Sequence, residues 1–92
     1  MVTIDSAFPL GRVVVTRAVD ASGIDPLPYL RRHAMGDWGD LSPGDVKLNE
    51  DALTGEGRLM SSYTCPESPD GDIWVITEWD RSVTTVLFPS DY

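Results

Sequence analysis

The densest set of reactive side chains in this 92-residue chain lies in the stretch Asp72 to Phe88, DIWVITEWDRSVTTVLF. It holds Thr77, Glu78, Asp80, Arg81, Ser82, Thr84 and Thr85, and Arg58, Ser61 and Tyr63 lie on the run that precedes it. A carboxylate and a guanidinium beside hydroxyls can move a proton or clamp a phosphate. On that reading Glu78, Arg81, Arg58 and Tyr63 are the working set of a small RNase-like enzyme or toxin. A plainer reading has Asp80 and Arg81 turning a hairpin, the threonines supplying strand propensity, and Glu78 pairing across the sheet with Arg58. The plainer reading is preferred, because the sequence carries no glycine-rich phosphate loop, no G-x-S-x-G elbow, no paired Cys or His ligands and no dinucleotide fingerprint. An enzyme is thus the lesser expectation, and neither a cofactor nor a metal is expected.

Three further residues invite chemistry. His33 is the lone histidine and follows Arg31 and Arg32, which suits a surface position in the last turn of a helix better than a ligand or general base. Cys65 has no basic neighbour to activate it. Asp37, Asp40 and Asp45 suggest calcium, but Gly39 and Leu41 stand where alternate oxygen ligands belong, so an EF-hand is rejected.

The elements that must position these groups follow from local pattern. Ile73 to Trp79 and Val83 to Phe88 are β-prone runs joined by a short polar tip, the signature of an antiparallel hairpin. Arg12 to Val19, with three successive valines, predicts another strand, and Arg58 to Thr64 a further one. Asp25 and Pro26 open a helix that ends at Gly36, with Leu27, Leu30 and Ala34 on one face. Ser42, Pro43 and Asp45 open a second, running to Leu53, on which Asn49 lies at or near the buried side as a hydrogen bonder. Between the helices, Trp38 reads first as a core plug and second as an exposed anchor.

The expected fold is therefore α+β: a small antiparallel sheet of about four strands in the order β-α-α-β-β-β, with two short helices on one face. It forms one domain over residues 1–92, with 1–11 a loosely ordered lead-in. Neither face of the hairpin is clearly polar, and two short helices cover only one. The other face must be covered by the termini, by a copy of the chain or by a partner.

Charge narrows the partner. Fifteen acidic and seven basic residues give a net charge of -8, which opposes direct binding to a phosphate backbone and suits docking on a basic protein surface. The expected docking residues are Asp37, Trp38, Asp40, Asp70, Asp72, Trp79, Asp80 and Arg81. A single cysteine removes dependence on an oxidising compartment, and the sequence predicts neither a signal peptide nor a membrane span, so a cytoplasmic protein without membrane contact is expected. A protein partner is expected, and a homodimer is a further possibility.

The combination Gly36-Asp37-Trp38-Gly39, Asn49, Arg58-Leu59, Ser61, Tyr63, Trp74-Val75-Ile76-Thr77-Glu78, Asp80-Arg81-Ser82, Thr84-Thr85, Leu87, Pro89 and Tyr92 resembles a family of small bacterial proteins. These come from plasmids, integrative elements and prophages, and some carry a type I restriction subunit label. The resemblance implies a mobile-element context and no established activity. With it, the expected function is a mobile-element-encoded inhibitor of a host defence complex, of anti-CRISPR or anti-restriction type, and the alternatives are the enzyme or toxin above and a homodimeric accessory protein.

Overall fold

A computed structural model describes residues 6–92, which form an α+β domain with a four-stranded sheet and three helices. Strand β1 spans Arg12–Val15, followed by α1 at Arg17–Ser22, α2 at Leu27–Ala34 and α3 at Pro43–Leu53. Strands β2 (Leu59–Thr64), β3 (Asp72–Thr77) and β4 (Val83–Leu87) complete the sheet, and a 3-10 turn at Pro89–Asp91 ends the chain. The strand order is β1-β4-β3-β2. β2, β3 and β4 form the expected antiparallel meander, whereas β1 lies parallel to β4, which makes the sheet mixed. Parallel pairing is available because three helices carry the chain from β1 back across the sheet before β2 begins.

The strand expected over Arg12 to Val19 stops at Val15. Thr16 is still extended, at φ -70° and ψ 160°, but its hydroxyl accepts a hydrogen bond from Val19 N, and Gly23 at φ 77° closes the short helix between them. Capping by Thr16 overrides the strand propensity of Val19, whose side chain enters the core instead. The later helices start where expected, with Asp25 accepting from Leu27 N and Ser42 from Asp45 N.

All three helices pack on one face of the sheet. Val19, Leu30, Tyr63, Ile73, Val75, Val86 and Phe88 make the larger core cluster, and Phe8, Trp38, Ala52 and Leu59 a second. Phe8 is buried and Ala7 N donates to Ala34 O, so the part of the expected loose lead-in from Ser6 onward is pinned to the core. Residues 1–5 of that lead-in lie outside the described residues. Among the described residues no helix is long and apolar enough to cross a membrane.

His33 is fully buried, against the expectation of a surface position. The inward face of α2 is Leu30, His33 and Ala34, at i, i+3 and i+4, so the helix is rotated from the face first read and Leu27 lies at its margin.

Candidate functional site

The first candidate set does not converge. Tyr63 lies on the helix-covered face, fully buried, with its hydroxyl donating to Asp37 O at 2.6 Å and burial pushing its pKa up to about 12. Arg58 and Glu78 lie on the opposite face and pair with each other at 3.4 Å, as the plainer reading expected. Arg81 is occupied elsewhere: Nη2 donates to Ala52 O at 2.7 Å and Nη1 to Gly57 O at 2.6 Å, with Glu78 O and Trp79 O at 3.2 and 3.3 Å. It ties the hairpin tip to the last turn of α3, where cationic donors satisfy free carbonyls. No group of three or more His, Cys, Asp or Glu side chains suited to a metal occurs among the described residues.

Arg81 also holds a positive φ of 60°, alone among the described non-glycine residues. An L-residue there is strained by about 1 kcal/mol, while the clamp it makes is worth about 2 kcal/mol. Arg81→Ala should therefore lower unfolding stability by about 2 kcal/mol, and Arg81→Gly by about 1 kcal/mol less than that because glycine relieves the strain. Urea denaturation of both variants checks the order. Equal stability of wild type and Arg81→Ala would return Arg81 to the candidate reactive groups.

The expected docking residues divide in the same way. Trp38 belongs to the core at 4% exposure, its indole N–H donating to Glu50 at 3.0 Å, so it is removed as a surface anchor. Asp37 is held by Arg32 at 2.7 Å, which keeps its carboxyl below the usual carboxylate range. Trp79 is 58% exposed and stands with Asp80 at the hairpin tip, where the Ser82 side chain and, after it, Ser82 N hold the Asp80 carboxyl below the usual carboxylate range. Asp40, Asp70 and Asp72 gather at the other end of β3. Asp72 pairs in register with Thr64, Thr64 donates to Asp40, and Asp70 accepts from Ser90 N. Among the described residues none of these three forms an ion pair.

Between the two ends lies the face that no helix covers. Strand alternation places Asp72, Trp74, Ile76 and Glu78 on it, beside Arg58 just before β2, Met60, Ser62 and Thr64 of β2, and Thr85 and Leu87 of β4. The chain's end covers part of it. Tyr92 packs edge-on to Trp74 with ring centroids 5.9 Å apart, and its hydroxyl accepts from Arg58 at 2.7 Å. What remains is an apolar groove of about 300 Å³ lined by Arg58, Met60, Trp74, Ile76 and Tyr92. Past Met60 and Arg58 a smaller hollow of about 190 Å³ carries it over the sheet edge toward Leu41 and the exposed Leu48.

Sequence reasoning missed one polar constellation altogether. Ser61 Oγ lies 2.6 Å from His33 Nδ1, His33 Nε2 lies 2.9 Å from Thr77 Oγ1, Thr77 lies 2.7 Å from Thr84, and Thr84 donates to Leu10 O at 2.7 Å. The carbonyl fixes every direction. Thr84 spends its proton on Leu10, so Thr77 must donate to Thr84, His33 must donate from Nε2 to Thr77, and Nδ1 must accept from Ser61. The result is a neutral imidazole whose two nitrogens are both satisfied. Ser61, Thr77, Thr84 and His33 are all fully buried, with Phe8 and Trp38 edge-on to the imidazole, so substrate has no approach to it. The available signal was the alternation itself, which puts Ser61, Thr77 and Thr84 on the same face as the core.

Fold and site together define a small α+β domain with one sealed sheet face and one half-open, apolar one. The chain matches no family model, no curated protein and no solved structure.

Proposed function

We propose that this protein is a non-catalytic, cytoplasmic interaction module that docks through its half-open sheet face on a basic protein surface. The groove between Trp74, Met60 and Ile76, with Asp40, Asp70 and Asp72 at the same end of β3 and in no ion pair among the described residues, carries this reading. An aliphatic or aromatic side chain of the partner fills the groove while its Lys and Arg residues meet the carboxylates, the arrangement of an apolar interface core with a charged rim. A net charge of -8 steers such a partner and repels nucleic acid. The resemblance to mobile-element proteins narrows the partner to a component of a host restriction or CRISPR complex, with inhibition as the outcome.

Copurification from a host carrying such a system, with a parallel assay of its interference, tests the proposal. The expected result is salt-sensitive capture of a basic defence component and loss of interference. Asp72→Lys and Met60→Glu should each weaken capture at least tenfold while leaving the thermal midpoint within a few degrees of wild type, since both side chains sit on the half-open face. Unchanged interference with no defence component recovered would overturn the narrower claim. Capture indifferent to both variants would overturn the assigned face.

A further inference from the structure

The two edges of the sheet are treated differently. At the β2 edge the outward backbone groups of Met60 and Ser62 are occupied: the Asn49 side chain bonds both Met60 N and Met60 O, while Ser62 N donates to Trp38 O and Ser62 O accepts from Asp40 N. At the β1 edge, Arg12 N and Thr16 N bond inward to Ser82 O and Val86 O, so alternation turns the backbone N–H and C=O of Val13 and Val15 outward. Among the described residues no hydrogen bond meets these four groups. Val13 and Val15 are also exposed, at 41% and 36%. Of the usual guards of such an edge, lysine, proline and bulges are absent from Arg12–Val15, and only the charge of Arg12 and the four-residue length of the strand remain.

From this edge we infer that β1 pairs antiparallel with β1 of a second copy about a twofold axis at Val14, giving a continuous eight-stranded sheet. Only this register uses all four outward groups. Val13 faces Val15 of the other copy and Val15 faces its Val13, each a hydrogen-bonded pair, with Val14 opposite Val14 as the non-bonded pair between them. The exposed side chains of Val13 and Val15 then cover one another on the helix side of the sheet. The same register sets Arg12 opposite Thr16 of the second copy, on the half-open face. Thr16 Oγ1 donates to Asp91 at 2.7 Å, so each Arg12 meets a carboxylate, and within its own chain Arg12 has no ion pair among the described residues. Among the described residues nothing obstructs the approach. Leu10 is drawn under the sheet by Thr84, and α1 packs back on β4, so the chain leaves the edge inward at both ends of β1.

The paired copies present their half-open faces side by side, but pairing does not depend on the docking proposed above. Sedimentation equilibrium of the full chain from micromolar to millimolar concentration should show the mass rising from 10.1 kDa toward twice that value. Val13→Pro removes an outward N–H that bonds nothing among the described residues, and should weaken association at least tenfold. Val14→Cys in a Cys65→Ser background fixes the register even if the proline variant does not fold. The non-bonded pair brings the two Cα atoms within about 4.5 Å, inside disulfide range, whereas residue 13 faces residue 15. Mild oxidation should crosslink Val14→Cys to a dimer well before Val13→Cys. A mass fixed at the monomer value throughout, or equal crosslinking of the two cysteine variants, would overturn the inference.

Discussion

Lowering the pH from about 6.5 to about 4 should remove about 3 kcal/mol of folding stability through His33 alone. Desolvation by burial depresses the His33 pKa to about 4 from an ordinary 6.5, and in the relay the imidazole is needed neutral, accepting from Ser61 and donating to Thr77. The unfolded chain takes up a proton as the pH falls below 6.5, and the folded one does not follow until about pH 4. The contribution is therefore complete above pH 6.5, shrinks across the window between the two values, and is flat below it. Carboxylate effects fall lower, since Asp37 and Asp80 are both depressed from 3.8 and their contributions fade only below that value. Urea unfolding in steps of pH would read the slope directly. His33→Gln should be less stable at pH 7, because Ser61 and Thr77 lose a well-placed partner, yet nearly level between pH 6.5 and 4. A wild-type protein that is level over the same range would show that the buried imidazole is not held neutral. Domains of this kind have about 5–15 kcal/mol in total, so the loss is a large part of the whole.

That relay also shows what the sequence made legible and what it hid. The hairpin, the strand at Leu59–Thr64 and the helix starts at Asp25 and Ser42 could be read because each depends on neighbours within a few residues, and Asn49 could be read as a hydrogen bonder but not as the residue that seals Met60 at the sheet edge. The parallel pairing of β1 could not, since it joins Arg12–Val15 to Val83–Leu87 across most of the chain. His33 was misread for a related reason: the two arginines before it argue for the surface, and its partners Ser61 and Thr77 come from two different strands. Among the site residues, the pairing of Arg58 with Glu78 was visible as a cross-strand pair. The clamp made by Arg81 was not, because its acceptors are main-chain carbonyls at Ala52 and Gly57, which carry no sequence signal. Polar crowding in the hairpin thus came from three sources, a buried relay on one face, an ion pair on the other, and the turn and main-chain clamp of Asp80, Arg81 and Ser82 at the tip. Once the three are separated, no single reactive cluster remains, and the half-open face becomes the better candidate site.

At Ser62 the sealing of the β2 edge rests on Gly39, and its replacement should be among the more damaging small substitutions of the described residues. Gly39 has φ 74° and bridges Ser62, placing Trp38 O and Asp40 N where they bond the Ser62 backbone. A methyl group there would stand 2.1 Å from Ser62 O and 2.6 Å from the Tyr63 ring. The first obstacle is backbone, so it cannot rotate aside. The segment carrying Trp38 must lift from the strand, giving up two hydrogen bonds and loosening the indole in the core. Two lost bonds at about 1 kcal/mol each, with about 1 kcal/mol for the left-handed conformation, set the cost of Gly39→Ala at about 3 kcal/mol before any loss of Trp38 packing. Gly71→Ala isolates the conformational part. Its φ is 78°, but nothing lies within 4 Å of an added Cβ, so it should cost only about 1 kcal/mol. Thermal or urea unfolding of the two variants gives the comparison. Lifting this segment would also bare the outward groups of Ser62 and leave both edges of the sheet open, so Gly39→Ala should aggregate on heating where Gly71→Ala does not. Equal losses in the two variants would mean that the loop yields to the added methyl and that the β2 edge is not sealed by Gly39.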